Sequence, residues 1–176
     1  MGEQIRKRLE QTKSFERQAQ EAMLNLMLAA GSLYEWNDRA CARHGITRSQ
    51  YNVLRILRGV YPGGHPRQEI TRRMVDRSPD VTRLIDRLER AGLVERDRTD
   101  EDRRLSIARI TTKGLELIER MTPDFDDIYE DMEQRLTPQE LREISRICEK
   151  LYAPETRQSN GNGTQAPRRS VPRPRR

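Results

Sequence analysis

The sequence predicts a mainly α fold, with three short helices and a small β-hairpin in mid-chain and long apolar-striped helices on either side. Three observations carry this reading. The run Ser78 to Arg104 is a capped amphipathic helix that stops at Gly92, enters a strand and turns through a charged loop tip. Two capping boxes, Thr47 with Gln50 and Thr137 with Glu140, mark further helix starts. Apolar residues at intervals of three and four before His44 and after Thr111 describe long helices with a face to bury.

From about Ser14 to His44, Phe15, Ala19, Ala22, Leu26, Ala30, Leu33 and Ala40 recur on one stripe, widened by Met23, Met27, Leu28 and Trp36. A helix apolar over so much of its circumference is expected to have more than one neighbour. The window Ala22 to Trp36 is too short, at 15 residues, to span a bilayer, which takes roughly 20. Thr47 opens a helix that aligns Val53, Leu54, Leu57, Val60 and Tyr61, and Pro62-Gly63-Gly64 ends it. A shorter helix after Pro66 buries Ile70 and Met74.

The next helix has Ser78 as expected N-cap, Pro79 with its preset φ, and Asp80 at the positive end of the dipole. Val81, Leu84, Ile85 and Leu88 form its buried face, and Thr82, Arg83, Asp86, Arg87 and Arg90 the opposite one. Arginine heads are planar multi-donor forks that meet guanine edges and phosphates with paired hydrogen bonds. Leu93-Val94 and Leu105 to Ile110 supply the hairpin strands. Leu115, Ile118, Met121, Phe125, Ile128, Met132 and Leu136 describe a long helix, with a kink or break expected near Thr122 because Pro123 lies inside it. Thr137 opens a last helix that aligns Leu141, Ile144, Cys148 and Leu151.

Composition limits the function classes. With 34% hydrophobic and 35% charged residues and a mean hydropathy of −0.98, one core per subunit is thin and a core shared with a second copy is expected. The net charge of +6 is uneven: residues 1–152 carry 28 bases and 27 acids, whereas 153–176 carry six bases and one acid. The pI near 9.7 is therefore mostly the tail's doing and does not prove nucleic-acid binding. The tail has one large aliphatic residue and no aromatic, so disorder is expected. Two widely spaced cysteines and an N-terminus lacking an apolar stretch predict a cytoplasmic protein.

The segments ITRSQYNVLRIL (46–57), VTRLIDRLERAGLVER (81–96), DEDRR (100–104) and ITTKG (110–114), in this order, resemble the MarR family of bacterial transcription regulators. The resemblance covers about residues 20–152 and implies a winged helix-turn-helix DNA-binding domain in a homodimer. The chain then divides into an N-terminal extension (1–14), dimerisation helices (15–44 and 112–152), the DNA-binding domain (45–111) and a disordered Arg/Pro-rich tail (153–176). The resemblance further implies that Ser78, Thr82, Arg83 and Arg87 lie in the major groove and that Arg98, Asp102, Arg103 and Arg104 form the wing, with Arg103 in the minor groove. Asp80, acidic and early in the recognition helix, departs from the family pattern. A two-fold dimer would present its helices about 34 to 36 Å apart, so the expected partner is duplex DNA with a pseudo-palindromic operator. Repression, relieved by a small-molecule or oxidant signal, is inherited from the family.

Blander readings stand beside these. Arg83, Arg87 and Arg90 could form a solvated face paired with Asp86 and Glu89, and Arg103 and Arg104 could be satisfied by Asp100, Glu101 and Asp102. Cys41 and Cys148 read as structural thiols. Two histidines, His44 and His65, are too few for a multi-ligand metal site, and no metal or cofactor is expected. Tyr34, Trp36 and Met27 could line an aromatic effector pocket or be plain core. The intermixed acids mildly favour a protein-interaction module as the alternative function. An enzyme finds no support, since glycine-rich phosphate loops and nucleophile motifs are missing from the sequence.

Overall fold

Helix punctuation and a buried apolar face set the order of elements in the computed structural model, which describes residues 2–76, 80–97 and 106–153. The elements are α1 (Glu3–Arg8), α2 (Gln18–Arg43), α3 (Arg48–Arg58), β1 (His65–Pro66), α4 (Arg67–Arg73), α5 (Val81–Arg90), β2 (Val94–Asp97), β3 (Ile107–Ile110), α6 (Thr112–Arg135) and α7 (Pro138–Tyr152). The chain divides at Leu136, so α7 forms a unit of its own.

In the first unit, α3, α4 and α5 follow one another and lead into a three-stranded antiparallel sheet of order β1-β3-β2. The β2–β3 register pairs Val94 with Ile110 and Arg96 with Ala108, which is the expected hairpin. β1 was not foreseen: His65 and Pro66 pair with Ala108 and Ile107, adding an edge strand too short to show any alternation. The core forms where the inner faces of α3, α4 and α5 meet the sheet and α6, with Leu54, Leu57, Ile70, Leu88, Ile118 and Met121 among its most buried side chains.

Three local expectations change. The N-cap of α5 is Asp80, whose carboxylate accepts the Arg83 N–H at 3.3 Å; Ser78 lies outside the described residues. Aspartate caps as well as serine does, and the cap falls on the residue just before the first helical one rather than two residues earlier. α3 ends at Arg58, two residues before Val60, and Tyr61 beyond it is exposed. α6 runs unbroken through Pro123, and the Thr122 hydroxyl donates to the Ile118 carbonyl at 3.2 Å beside it. Packing of Met121 and Phe125 on either side holds the helix together where propensity alone would end it.

α2 meets α6 and α3 along its C-terminal half, where Ala40 and Cys41 are buried. Its N-terminal half leaves Met23 55% and Met27 63% exposed, with Leu26 also open, and Tyr34 past the midpoint is exposed too. The short α1 lies against α2 and buries Ile5. In the second unit, α7 begins with the complete Thr137–Glu140 capping box and buries none of its residues.

Candidate nucleic-acid interface

The site is built on α5, whose 3.6-residue period separates a buried face from a charged one. Val81, Leu84, Ile85 and Leu88 are buried, while Thr82, Arg83, Arg87 and Arg90 are exposed. The C-terminus closes with a left-handed residue, Gly92 at φ +72°. The Gly92 N–H reaches the Glu89 carbonyl and the Leu93 N–H the Leu88 carbonyl, both at 2.9 Å, satisfying carbonyls that the last helical turn leaves open.

The start of α6 grips this end. The Thr111 hydroxyl donates to the Gly92 carbonyl at 2.8 Å and accepts the Gly114 N–H at 3.2 Å, and Lys113 Nζ donates to the Ala91 carbonyl at 2.8 Å. Glycine at 114 is required by this approach, because a Cβ there would stand 2.4 Å from the Leu93 carbonyl oxygen.

The charges on α5 are sorted between its two flanks. Asp86 and Glu89 both turn toward β2, where Arg96 forms an ion pair with Asp86 and stands 3.7 Å from Glu89. Arg83 pairs with the capping Asp80 at 3.2 Å, and Arg90 donates to the Asp86 backbone carbonyl at 3.2 Å. Arg87 has no acidic partner among the described residues. The pairing of Asp86 and Glu89 with the α5 arginines does not form, because Arg96 takes those acids, and Arg83, Arg87 and Arg90 remain exposed to solvent. Across the hairpin, Arg109 pairs with Asp97 at 2.7 Å.

Thr82, Arg83 and Arg87 thus share one outward face, as the sequence reading expected. The other expected contacts, Ser78, Arg98, Asp102, Arg103 and Arg104, lie outside the described residues. Arg96 was missed. Its signal was present in the chain, since Asp86 and Glu89 are spaced i,i+3 on one helix flank and need a base, but nothing local says which arginine meets them.

A cavity of about 330 Å³ opens between α2, α3 and α6, with Tyr34, Arg48, Tyr51, Arg55, Phe125 and Tyr129 among its lining residues. The Arg48 guanidinium lies 3.9 Å over the Tyr34 ring and 3.4 Å from Asp76, yet its Nε and Nη1 are buried without a hydrogen-bond partner. Burial pushes the Tyr51 hydroxyl above its ordinary pKa, opposed by the hydrogen bond it accepts from Arg55 at 3.2 Å. Trp36 faces a second cavity, of about 370 Å³, with Arg39, Arg43, Asp124 and Arg135. Tyr34 and Trp36 thus part company, as two residues about 200° apart around a helix must, and Met27 lines neither cavity.

Cys41 is fully buried, and desolvation pushes its thiol up to about 11. Among the described residues no cluster of His, Cys, Asp and Glu could hold a metal, and no helix is long and apolar enough to cross a membrane.

Residues 46–106 match the MarR family. The crystal structure of a MarR transcription factor from Planctomyces limnophilus is 34% identical, with a TM-score of 0.61, covering 78% of this chain and 99% of that one. The homoprotocatechuate degradative operon repressor of Escherichia coli is 25% identical over 111 residues, 63% of this chain and 74% of the repressor. The S. aureus MepR–DNA complex, at 22% identity, shares the fold, with a TM-score of 0.66 over 74% of this chain and 94% of that one.

Proposed function

The chain belongs to the MarR family of DNA-binding transcription regulators, and on that footing we propose that it acts in the cytoplasm as a homodimeric repressor, released from its operator by a small molecule. The observation that carries the DNA contact is the sorted charge of α5: Thr82, Arg83 and Arg87 face outward while Asp86 and Glu89 are occupied by Arg96. An outward arginine face on a capped helix suits the major groove, where a guanidinium meets guanine O6 and N7 together. On the family resemblance, Ser78 is assigned to the same DNA contact, and Arg98, Asp102, Arg103 and Arg104 to the wing, with Arg103 entering the minor groove, whose narrow A·T stretches attract arginine.

The dimer is supported by α2. Met23, Leu26 and Met27 stand exposed on one subunit, and a soluble chain gains by covering such a face with its own copy. Residues 15–44 and 112–152 supply the seam, 45–111 read the DNA, and the basic tail, 153–176, adds nonspecific attraction to the duplex.

For the effector, the 330 Å³ cavity favours an anionic aromatic molecule. Its walls include three tyrosines and a phenylalanine, and Arg48, which stands 3.4 Å from Asp76 and 3.8 Å from Asp38, keeps two nitrogens without a hydrogen bond. The operon named for the E. coli repressor degrades an aromatic acid, which is in keeping with this chemistry. An oxidant acting through Cys41 is disfavoured by the burial of that thiol.

An electrophoretic shift titration on the chain's own upstream DNA tests the reading. Arg87→Ala should weaken operator binding by ~1 to 3 kcal/mol with the fold unchanged, and wild-type binding should fall with salt by roughly 0.9 in log–log slope per contacted phosphate. Unaltered affinity in the variant, or a salt-insensitive complex, overturns it. Sedimentation velocity checks the dimer, where a monomer at micromolar concentration is the contrary result.

A further inference from the structure

We infer that Arg96 is a positioning residue for DNA recognition: from β2 it holds the flank of α5 and removes the negative charge of Asp86 and Glu89 from the surface that Arg83 and Arg87 present. The inference rests on the proposed entry of α5 into the groove and says how that helix is kept fit for it.

Arg96 sits opposite Ala108 in the ladder, and its side chain is only 18% exposed. It pairs with Asp86, lies 3.7 Å from Glu89 and stands 3.5 Å from the Thr82 carbonyl. These three partners span about two turns of α5, so one planar fork braces most of the helix. A lysine could not do the same, because its charge is a single point.

The two acids are the only ones between Val81 and Arg90. Asp86 lies i+3 from Arg83 and i−4 from Arg90, positions at which helix side chains meet. Left unclaimed, its carboxylate would draw those heads sideways and oppose phosphate oxygens at close range. With Arg96 in place, Arg83 turns to the helix start and Arg90 takes only the Asp86 backbone carbonyl. The Arg96 side chain is 18% exposed while Asp86 and Glu89 are 38% and 32% exposed, so the shielding is partial and the carboxylates left without Arg96 would still reach the α5 surface.

The test compares full-length Arg96→Met, Arg96→Lys and the double variant Arg96→Met/Asp86→Asn with the parent protein, by fluorescence titration of labelled operator and of unrelated duplex at several salt concentrations. Arg96→Met should lose tenfold or more in operator affinity, and Arg96→Lys should recover part of it. The double variant should recover most, because it leaves no orphan carboxylate at position 86. The salt slope should be the same in all four proteins. Parental affinity in Arg96→Met overturns the inference. So does a double variant as weak as the single one, or a slope lower by roughly 0.9, which would make Arg96 itself a phosphate contact. If Arg96→Met unfolds, Arg96→Lys decides: it should bind operator more weakly than the parent with an unchanged salt slope, and full parental affinity overturns the inference. Arg87→Ala run in parallel separates the two levels: an unaffected Arg87→Ala defeats the groove reading, whereas a weakened Arg87→Ala beside an unaffected Arg96→Met defeats only the role of Arg96.

Discussion

Tyr51 of α3 and Phe125 of α6 lie face to face, with ring centroids 4.3 Å apart and planes 9° from parallel. The pair pins α3 to the long α6, at the edge of the cavity that Arg48 enters. Phe125 is buried, so Phe125→Ala should cost about 3 to 5 kcal/mol of stability, and Phe125→Leu, which keeps more of the volume but loses the stacking, clearly less. Urea denaturation at one fixed protein concentration measures both, and equal losses would contradict a role for ring volume.

Gly114 gives a steric prediction. A methyl group would meet the Leu93 carbonyl oxygen, which is backbone and cannot swing away. Gly114→Ala should therefore destabilise the fold by about 1 to 3 kcal/mol despite the better helix propensity of alanine. A thermal melt no lower than the parent's would show that α6 and β2 separate freely.

The two thiols should differ in reactivity. At pH 8 a thiol displaced to about 11 is ionised in only about one molecule in a thousand. Iodoacetamide followed by mass spectrometry should label the partly exposed Cys148 first and reach Cys41 only on unfolding. Equal labelling in the folded protein would contradict the burial of Cys41.

Asp124 predicts a pH dependence. Hydrogen bonds from His44, at 2.6 Å, and from Arg43 hold its carboxyl below the ordinary carboxylate value. A depressed folded pKa means that the contact contributes fully above the ordinary value, about 3.9, and fades as pH falls through the folded one. Asp124→Asn should be less stable than the parent at neutral pH, and the difference should shrink below about pH 4. A difference that grew on acidification would reverse the assigned sign.

Much of the fold was legible because its signals are local. The Thr47–Gln50 and Thr137–Glu140 boxes close as their spacing requires, and Gly92 takes the positive φ that a helix stop favours. What escaped the sequence depends on partners far along the chain. β1 exists because β3 offers it an edge, and α6 survives Pro123 because neighbours pack around the site. At the candidate site, periodicity placed Thr82, Arg83 and Arg87 outward. It could not show that an arginine on a strand would claim Asp86 and Glu89.

The grip of Thr111 and Lys113 on the end of α5 makes α6 a lever. It has 24 residues, hence a length of about 36 Å, so a tilt of about 5° at its far end would carry α5 by about 3 Å. Hydrogen bonds to base edges tolerate a few tenths of an ångström. A molecule wedged beside Phe125 and Tyr129 would push near the middle of that arm, where a shift of about 1 Å would be roughly doubled by the time it reached α5.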